Sequence, residues 1–240
     1  MFRRFAIGVL LLTGPVFAQR LISIPVVDAG PGKTAEIQGD LYGGGRHALL
    51  LVHGGRFNKD SWRKQGPVFA RAGFLVLAIN LRGDRPNPDG SPGSYGTDEE
   101  NATDVLAAVD YLHRMGARTV SAIGGSLGGD AVGDAEARVE GAVFERMVIL
   151  ASEGGDHPEK LKGSKLFIVA REDSSGAGPR LPGITSSYAR APEPKRLVVL
   201  EGSAHAQFIF DTPEGDLLMR DLLDFLLEKG QNSRKASTQR

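Results

Sequence analysis

Cysteine is absent from the sequence of 240 residues. This absence excludes disulfide bonds, thiolate metal ligands and a cysteine nucleophile. It leaves the cellular compartment open, because proteins outside the cytoplasm are permitted disulfides but do not require them. The chemistry of this chain must therefore come from oxygen and nitrogen atoms.

Net charge is also lacking, since 29 basic and 29 acidic side chains balance at pH 7. The sequence has no basic stripe with interleaved aromatic residues, and we therefore expect no nucleic-acid partner. The 32 glycines and 13 prolines form no periodic run, which excludes a collagen-like or low-complexity chain. The hydrophobic fraction of 41% is ordinary for a globular domain with its own core.

Long apolar runs are missing, and a short one lies close to the N-terminus. Arg3 and Arg4 precede the apolar segment 5–12, which Gly14 and Pro15 break, and 16–18 then places small residues at the −3 and −1 positions before Gln19. This layout predicts a secretory signal peptide over 1–18, cleaved after Ala18, and export to the periplasm or the medium. The run is too short for a permanent membrane span, which needs roughly 20 residues.

The rest of the chain alternates strand-like and helix-like segments. Short apolar runs without polar alternation are typical of strands covered on both faces, as in a parallel sheet. Such runs occupy 48–52, 74–79, 120–123, 147–151, 166–170 and 197–200. An upstream pair of segments, 21–26 and 36–42, is predicted to form edge strands.

Helical periodicity fills the intervals between these runs. The spacing of apolar residues predicts helices over 62–72, 98–114 and 216–227, and the segment 130–138 is also helix-capable. Alternation of strands and helices predicts an α/β fold with a mostly parallel sheet. We place a single domain at 19–230 and expect a disordered tail over 231–240.

A glycine-rich pentapeptide follows the predicted strand 120–123. Gly124-Gly125-Ser126-Leu127-Gly128 matches the pattern G-x-S-x-G. A serine on a sharp strand-to-helix turn is exposed as a nucleophile, and the flanking glycines remove Cβ atoms that would clash there. The pattern is weak alone, but a strand before it and a helix-capable segment after it supply the required context. Ser126 is therefore the candidate nucleophile.

A serine hydroxyl needs a general base, and the chain has five histidines. His205 follows the last predicted strand and should emerge at the sheet edge where Ser126 lies. Asp173 follows the preceding strand and is the candidate acid that orients the base. Glu153, one strand earlier, is the alternative acid.

The chain order Ser126, Asp173, His205, together with the serine turn, resembles that of the α/β-hydrolase family over nearly the whole of 19–230. His53-Gly54-Gly55 is similar to the HG-x motif of that family. The resemblance implies that the backbone N–H groups of Gly55 and Leu127 form an oxyanion hole, with Arg56 as an alternative to Gly55.

The same resemblance assigns supporting roles. His53 is expected to brace its loop rather than transfer protons. Asn80-x-Arg82-Gly83 is similar to the D-x-R-G turn of the family, with Asn in place of Asp. This departure affects a supporting loop and leaves the three candidate catalytic residues intact.

A lid, where family members carry one, follows the strand that matches 147–151. The connecting segment 152–164 is too short for a lid domain, and the Pro- and Gly-rich loop 82–97 cannot form a helical cap. We therefore expect an α/β-hydrolase fold with helices on both faces of the sheet, no cap domain and a fairly open site. Hydrophobic residues placed either at its mouth or in the core are Phe57, Trp62, Tyr95 and Phe208.

These features predict an exported serine hydrolase, resembling carboxylesterases, that cleaves a small-molecule ester or thioester through an acyl-enzyme intermediate. Two alternatives remain open. One is a peptidase or amidase that acts on short peptides, and the other is a non-catalytic binding protein of the same fold. We expect neither a metal nor a cofactor, and the pattern favours no particular oligomeric state.

Overall fold

The computed structural model describes residues 19–27, 34–83 and 96–228. The predicted signal peptide 1–18, the predicted tail 231–240 and Tyr95 lie outside these residues. An eight-stranded sheet with the order β1-β2-β4-β3-β5-β6-β7-β10 forms the centre of the described part. Its strands are β1 (Arg20–Val27), β2 (Thr34–Gly43), β3 (His47–Val52), β4 (Leu75–Ile79), β5 (Thr119–Gly125), β6 (Arg146–Leu150), β7 (Ser164–Ala170) and β10 (Lys195–Leu200). A separate hairpin pairs β8 (Ser174–Ser175) with β9 (Gly178–Pro179).

The sheet is parallel except at its N-terminal end. β1 is antiparallel to β2, and β2 is antiparallel to β4, whereas β4, β3, β5, β6, β7 and β10 pair in parallel. The prediction that 36–42 is an edge strand was wrong, because β2 is hydrogen-bonded on both sides. The edges of the sheet are β1 and β10.

Helices cover this sheet. They are α1 (Gly66–Arg71), α2 (Asp98–Arg114), α3 (Leu127–Ala137), α4 (Leu181–Arg190) and α5 (Gly215–Leu227), with short 3-10 helices at Lys59–Trp62, Pro158–Lys160 and Ala206–Asp211. α2 begins at a capping box, in which the Thr97 side chain accepts from the Glu100 N–H and the Glu100 carboxylate accepts from the Thr97 N–H. None of the described helices is long and apolar enough to cross a membrane.

The predicted helix 62–72 is divided in the structure. Trp62 ends a 3-10 helix, and α1 begins only at Gly66. Pro67 accounts for the division, since proline lacks the N–H that the interior of a continuous helix would need but is tolerated in the first turn of a helix, where it stands in α1.

The strands alternate their side chains between two cores, one on each face of the sheet. In β3, Leu49 and Leu51 pack with residues of α1 and α5, whereas Leu50 and Val52 pack with residues of α2, α3 and α4. All four side chains are buried. The predicted α/β fold with helices on both faces is confirmed. In the described part of the chain, β6 and β7 are joined without a cap domain.

Candidate active site

Ser126 occupies the junction between β5 and α3, at the carboxyl edge of the sheet. Its φ of 51° and ψ of −122° lie in a region that non-glycine residues seldom adopt. Hydrogen bonds hold this conformation on both sides. The Ser126 N–H donates to the Leu150 carbonyl oxygen at 2.8 Å, and the Ser126 carbonyl oxygen accepts from the Gly129 N–H at 2.7 Å. The strand-to-helix turn is therefore sharp and firmly held.

Two glycines allow the backbone segments of this turn to touch. A Cβ atom on Gly124 would lie 2.3 Å from the Gly128 carbonyl oxygen, and one on Gly128 would lie 2.5 Å from the Val52 carbonyl oxygen. Any larger residue would have to displace backbone atoms. The second contact also fixes the turn against the end of β3.

His205 reaches Ser126 from the loop that follows β10. Its Nε2 atom lies 2.8 Å from Ser126 Oγ, and its Nδ1 atom lies 2.7 Å from Asp173 Oδ2. Because Nδ1 faces a carboxylate, Nδ1 carries the proton and donates, and Nε2 accepts from the serine hydroxyl. The structure brings together the three side chains that the sequence indicated as nucleophile, base and acid.

Asp173 follows β7, and its side chain is fully buried. Its N–H donates to the Ala170 carbonyl oxygen at 3.1 Å, which turns the chain so that the carboxylate points inward while neighbouring Glu172 remains exposed. The alternative acid, Glu153, is exposed and accepts from Ser187 Oγ at 3.4 Å. The geometry therefore favours Asp173 over Glu153 as the partner of His205.

The loop after β3 lies against the nucleophile. Gly55 and Arg56 form the centre of a turn that the Phe57 N–H closes by donating to the Gly54 carbonyl oxygen at 2.9 Å. A Cβ atom on Gly54 would lie 3.2 Å from the Cβ atom of Ser126. Both candidates for the first oxyanion donor, Gly55 and Arg56, are thus on a turn next to Ser126.

The second candidate donor, Leu127, is the first residue of α3. Backbone N–H groups in the first turn of a helix have no partner within the helix. Among the described residues, neither the Gly55 N–H nor the Leu127 N–H donates a hydrogen bond. Both groups are available to a ligand oxygen bound beside Ser126.

His53 braces the same loop from beneath. Its ring is fully buried, with Nδ1 donating to the Gly54 carbonyl oxygen at 2.9 Å and Nε2 accepting from the Leu81 N–H at 3.1 Å. Burial lowers the pKa of His53 to about 4, so the ring is neutral at neutral pH. These contacts match the bracing role that the family resemblance implies.

The segment after β4 is a second support. Asn80 accepts a hydrogen bond from the Lys59 N–H at 2.8 Å, so an amide serves where the family motif has a carboxylate. Arg82 donates through its Nε to the buried carboxylate of Asp104 on α2, at 2.9 Å. These bonds fix the segment after β4 to the 3-10 helix that begins at Lys59 and to α2.

An aromatic pair is carried by the loops that bear Gly55 and His205. The rings of Phe57 and Phe208 have centroids 4.7 Å apart, and Phe208 is 48% exposed. Phe57 closes the turn that begins at Gly54, and the Phe208 N–H closes a turn by donating to the His205 carbonyl oxygen at 3.1 Å. Phe57 is half-buried and Phe208 is exposed, so the pair presents apolar surface on the two loops that carry Gly55 and His205. Trp62, by contrast, is fully buried in the core.

A cavity of about 360 Å³ is lined in part by α3, the helix that begins directly after Ser126. Its lining includes Arg180 and the carboxylates of Asp98, Asp130, Asp134, Glu153 and Asp156. Burial raises the pKa of Asp130 and of Asp134. Within the described residues, no group of three or more potential ligands is arranged to hold a metal ion. We refer to this space as the acidic cavity.

Two residues near the site carried no signal in the sequence. Gln207 is buried, donates through Nε2 to Ser61 Oγ at 3.3 Å and packs against Gly125, where a Cβ atom would lie 2.5 Å from its Oε1. Arg180 directly follows the β8–β9 hairpin, and its side chain lies next to that of Asp173. Both positions depend on tertiary packing rather than on a motif.

Comparisons with known proteins agree with this geometry. Residues 47–208 match the model of a family described as having the alpha/beta hydrolase fold. No curated protein matches the sequence at a significant level. Among solved structures, an esterase of Pyrococcus furiosus is 16% identical with a TM-score of 0.69, and the alignment covers 92% of this chain and 94% of that one.

Other similar structures differ in their stated activities. A bromoperoxidase of Bacillus anthracis has a TM-score of 0.69 at 14% identity, over 87% of this chain and 100% of that one. An acylaminoacyl peptidase of Pyrococcus horikoshii has a TM-score of 0.64 at 17% identity, over 93% of this chain but only 44% of that one. Since one fold supports several reactions, the reaction must be argued from the site itself.

Proposed function

The chain belongs to the α/β-hydrolase family, and from this membership we propose that it is a serine hydrolase that cleaves carboxylic esters or thioesters through an acyl-enzyme intermediate. The observation that carries the proposal is the continuous chain of hydrogen bonds from Ser126 through His205 to Asp173. A serine hydroxyl becomes an effective nucleophile when a neighbouring base can take its proton, and this chain provides the base and its orienting acid.

In the acylation step, Ser126 Oγ forms a bond to the carbonyl carbon of the substrate while its proton passes to His205 Nε2. Asp173 stabilises the resulting imidazolium through the hydrogen bond at Nδ1. The imidazolium then protonates the leaving alcohol or thiol as its bond to the carbonyl carbon breaks. A water molecule then loses a proton to His205 Nε2 and attacks the acyl carbon, and the imidazolium returns that proton to Ser126 Oγ as the bond to the acyl group breaks and the acid is released.

The tetrahedral intermediates carry a negative oxygen that needs hydrogen-bond donors. The N–H groups of Gly55 and Leu127 are proposed to donate to this oxygen, since neither is engaged by a described residue. Loss of one such donor typically raises the barrier by roughly 3–4 kcal/mol. Gly54 and Gly128 hold the two donor-bearing segments against the nucleophile.

An ester substrate is favoured over a peptide. The peptidase with a similar fold is more than twice as long as the region it shares with this chain, because the alignment covers 44% of it. The described residues of the present chain provide one eight-stranded sheet with its helices and the small β8–β9 hairpin. The Phe57–Phe208 pair, on the loops that carry Gly55 and His205, suits an apolar group of an ester.

We further propose that the enzyme is exported, on the basis of the signal-peptide pattern in residues 1–18. Intact-mass measurement of protein recovered from the periplasm or the medium would test this proposal. The expected chain begins at Gln19. A recovered chain that still carries Met1 to Ala18 would contradict it.

A fluorophosphonate probe tests the serine chemistry directly. The purified protein should be labelled at one site, and Ser126→Ala should abolish labelling and ester hydrolysis together. Ser203→Ala is the matched control, because Ser203 is an exposed serine in the loop before His205 and should leave both signals unchanged. Labelling that persists in Ser126→Ala would refute the assignment.

Rates on p-nitrophenyl esters and on aminoacyl anilides then separate an esterase from a peptidase or amidase. We expect turnover of the esters and little turnover of the anilides. Turnover of neither class, combined with a ligand-induced rise in melting temperature, would instead support a binding protein of the same fold.

A further inference from the structure

The two carboxylate oxygens of Asp173 have different surroundings. Oδ2 accepts from His205 Nδ1, whereas Oδ1 is buried and makes no hydrogen bond with any described residue. A buried carboxylate oxygen without a donor is unfavourable, because water has been removed and nothing has replaced its hydrogen bonds. The negative charge of Asp173 therefore needs compensation on the side of Oδ1.

Arg180 is the cation that faces this oxygen. Its Nε lies 3.6 Å from Asp173 Oδ1, which is too far for a hydrogen bond but within the range of an ion pair. This Nε is itself buried and makes no hydrogen bond within the described part of the chain. Asp173 Oδ1 and Arg180 Nε, two buried polar atoms that lack hydrogen bonds, thus face each other.

The backbone brings Arg180 to this position. Asp173 and Arg180 stand at the two ends of the β8–β9 hairpin, and the Arg180 N–H donates to the Asp173 carbonyl oxygen at 2.9 Å. The two residues of β8, Ser174 and Ser175, pair with Pro179 and Gly178 of β9. The hairpin therefore returns the chain to Asp173 as a closed loop.

On its other side, Arg180 lines the acidic cavity. Carboxylates reach this cavity from three elements, namely Asp98 on α2, Asp130 and Asp134 on α3, and Glu153 and Asp156 in the segment after β6. Among the described residues that line the cavity, Arg180 is the one cation. It therefore stands between the His205–Asp173 pair and a concentration of negative charge.

The remaining charged groups near Asp173 in sequence point outward. Glu172 is exposed, and Arg171 forms an exposed ion pair with Glu201 at 2.8 Å. These groups are screened by solvent and contribute little to the field at the buried carboxylate. Arg180 is the described cation that forms an ion pair with the buried carboxylate of Asp173.

We propose that Arg180 is a positioning residue of the catalytic machinery, which compensates the charge of Asp173 and screens the His205–Asp173 pair from the acidic cavity. The inference rests on the proposed function of Ser126. A nearby positive charge opposes proton uptake by the pair, whereas the cavity carboxylates favour it.

The pH dependence of ester hydrolysis tests this role. In Arg180→Gln, the midpoint of the acidic limb of kcat/KM should rise by about 0.5–1 pH unit, because removal of the positive charge favours the imidazolium. Arg180→Lys retains the charge and should restore most of the original midpoint. Arg171→Gln is the matched control, with the same change in net charge, and should leave the midpoint unchanged.

A purely structural role for Arg180 would lower activity without moving this midpoint. An unchanged midpoint in a folded Arg180→Gln enzyme would therefore overturn the proposal. Arg180→Met is made in parallel, since it keeps the aliphatic stem, and circular dichroism establishes which variants are folded.

Proton uptake by His205 can also be followed without turnover, from the pH titration of its imidazole resonances in protein labelled with ¹⁵N-histidine. We expect the midpoint of this titration to be higher in Arg180→Gln than in the wild type. Glu153→Gln should change the midpoint more in the Arg180→Gln background than in the wild type. Equal effects of Glu153→Gln in the two backgrounds would contradict screening by Arg180. This titration needs no substrate, so it tests the role of Arg180 independently of the proposed function. Failure of the probe to label Ser126 would refute the proposed function and leave the result for Arg180 standing.

Discussion

His205 Nδ1 and Asp173 Oδ2 lie 2.7 Å apart, although 32 positions separate the two residues in the sequence. This contact fixes the imidazole ring so that Nε2 faces Ser126 Oγ at 2.8 Å. A carboxylate in this position sets the tautomer of the base and stabilises its protonated form.

Replacement of the carboxylate tests this contact. Asp173→Asn should lower kcat for ester hydrolysis by about 10⁴-fold, because an amide at this position favours the wrong imidazole tautomer. Steady-state kinetics with a p-nitrophenyl ester measure the loss. Glu153→Gln removes the alternative acid as a control and should retain near-normal activity. A large loss in Glu153→Gln and a small one in Asp173→Asn would reverse the assignment.

The serine turn should not tolerate a methyl group at Gly124. Gly124→Ala places its Cβ 2.3 Å from the Gly128 carbonyl oxygen, and we expect it to lower the free energy of unfolding by roughly 1–3 kcal/mol and to impair activity. Urea denaturation measures the change. Gly141→Ala provides the control, since its Cβ would meet no atom within 4 Å. Equal stability of the two variants would show that the turn can relax.

The buried ring of His53 should make stability depend on pH. Its pKa is about 4 in the folded protein and 6.5 for the ordinary side chain, so the unfolded chain binds the proton first as the pH falls. Native stability is therefore unaffected above about pH 6.5 and decreases between pH 6.5 and 4, by roughly 3 kcal/mol in total. Urea denaturation at pH 7, 5.5 and 4 measures this dependence.

His53→Gln isolates that contribution. The variant will be less stable at pH 7, but its further loss between pH 7 and 4 should be smaller than that of the wild type by roughly 3 kcal/mol. Exposed His157 serves as the control, and His157→Gln should leave the pH dependence intact. A similar acid-induced loss in wild type and His53→Gln would show that His53 does not cause it.

The aromatic pair should select for longer acyl groups. Phe208→Ala and Phe57→Ala should each lower kcat/KM for a p-nitrophenyl hexanoate about 5–20-fold and affect the acetate ester little, because the lost contacts involve the distal methylenes. An acyl-chain-length series measures this selectivity. Leu227→Ala removes an exposed apolar side chain at the end of α5 and should change neither rate. A uniform loss across chain lengths would point to general distortion instead.

The sheet and the longer helices could be predicted from the sequence because their patterns are local. The run 166–170 lies within β7 (Ser164–Ala170), and α2 has the bounds that its apolar spacing predicts. α4 carried no such signal, since Pro182 and Gly183 stand in its first turn and conceal its periodicity. The pairing of β2 on both sides also escaped prediction, because partners in a sheet are chosen by tertiary contacts.

The same distinction between local patterns and tertiary contacts applies to the site. Ser126, Asp173 and His205 each follow an apolar run, and the carboxyl ends of parallel strands meet at one edge, so their proximity could be inferred. Arg180 could not be placed, because its contact with Asp173 depends on the path of the β8–β9 hairpin. Gln207 could not be predicted for the same reason, since its burial against Gly125 follows from packing of the 3-10 helix after His205.

The position of His205 after β10 bears on when the site forms during synthesis and folding. β10 is the last strand of the described residues and joins the sheet at its edge, beside β7. Both partners of Ser126 are synthesised after it, and a pairing between distant segments is slow to form. We therefore expect a chain truncated before His205 to show no ester hydrolysis, and turnover in a refolding chain to appear only after β10 has joined the sheet.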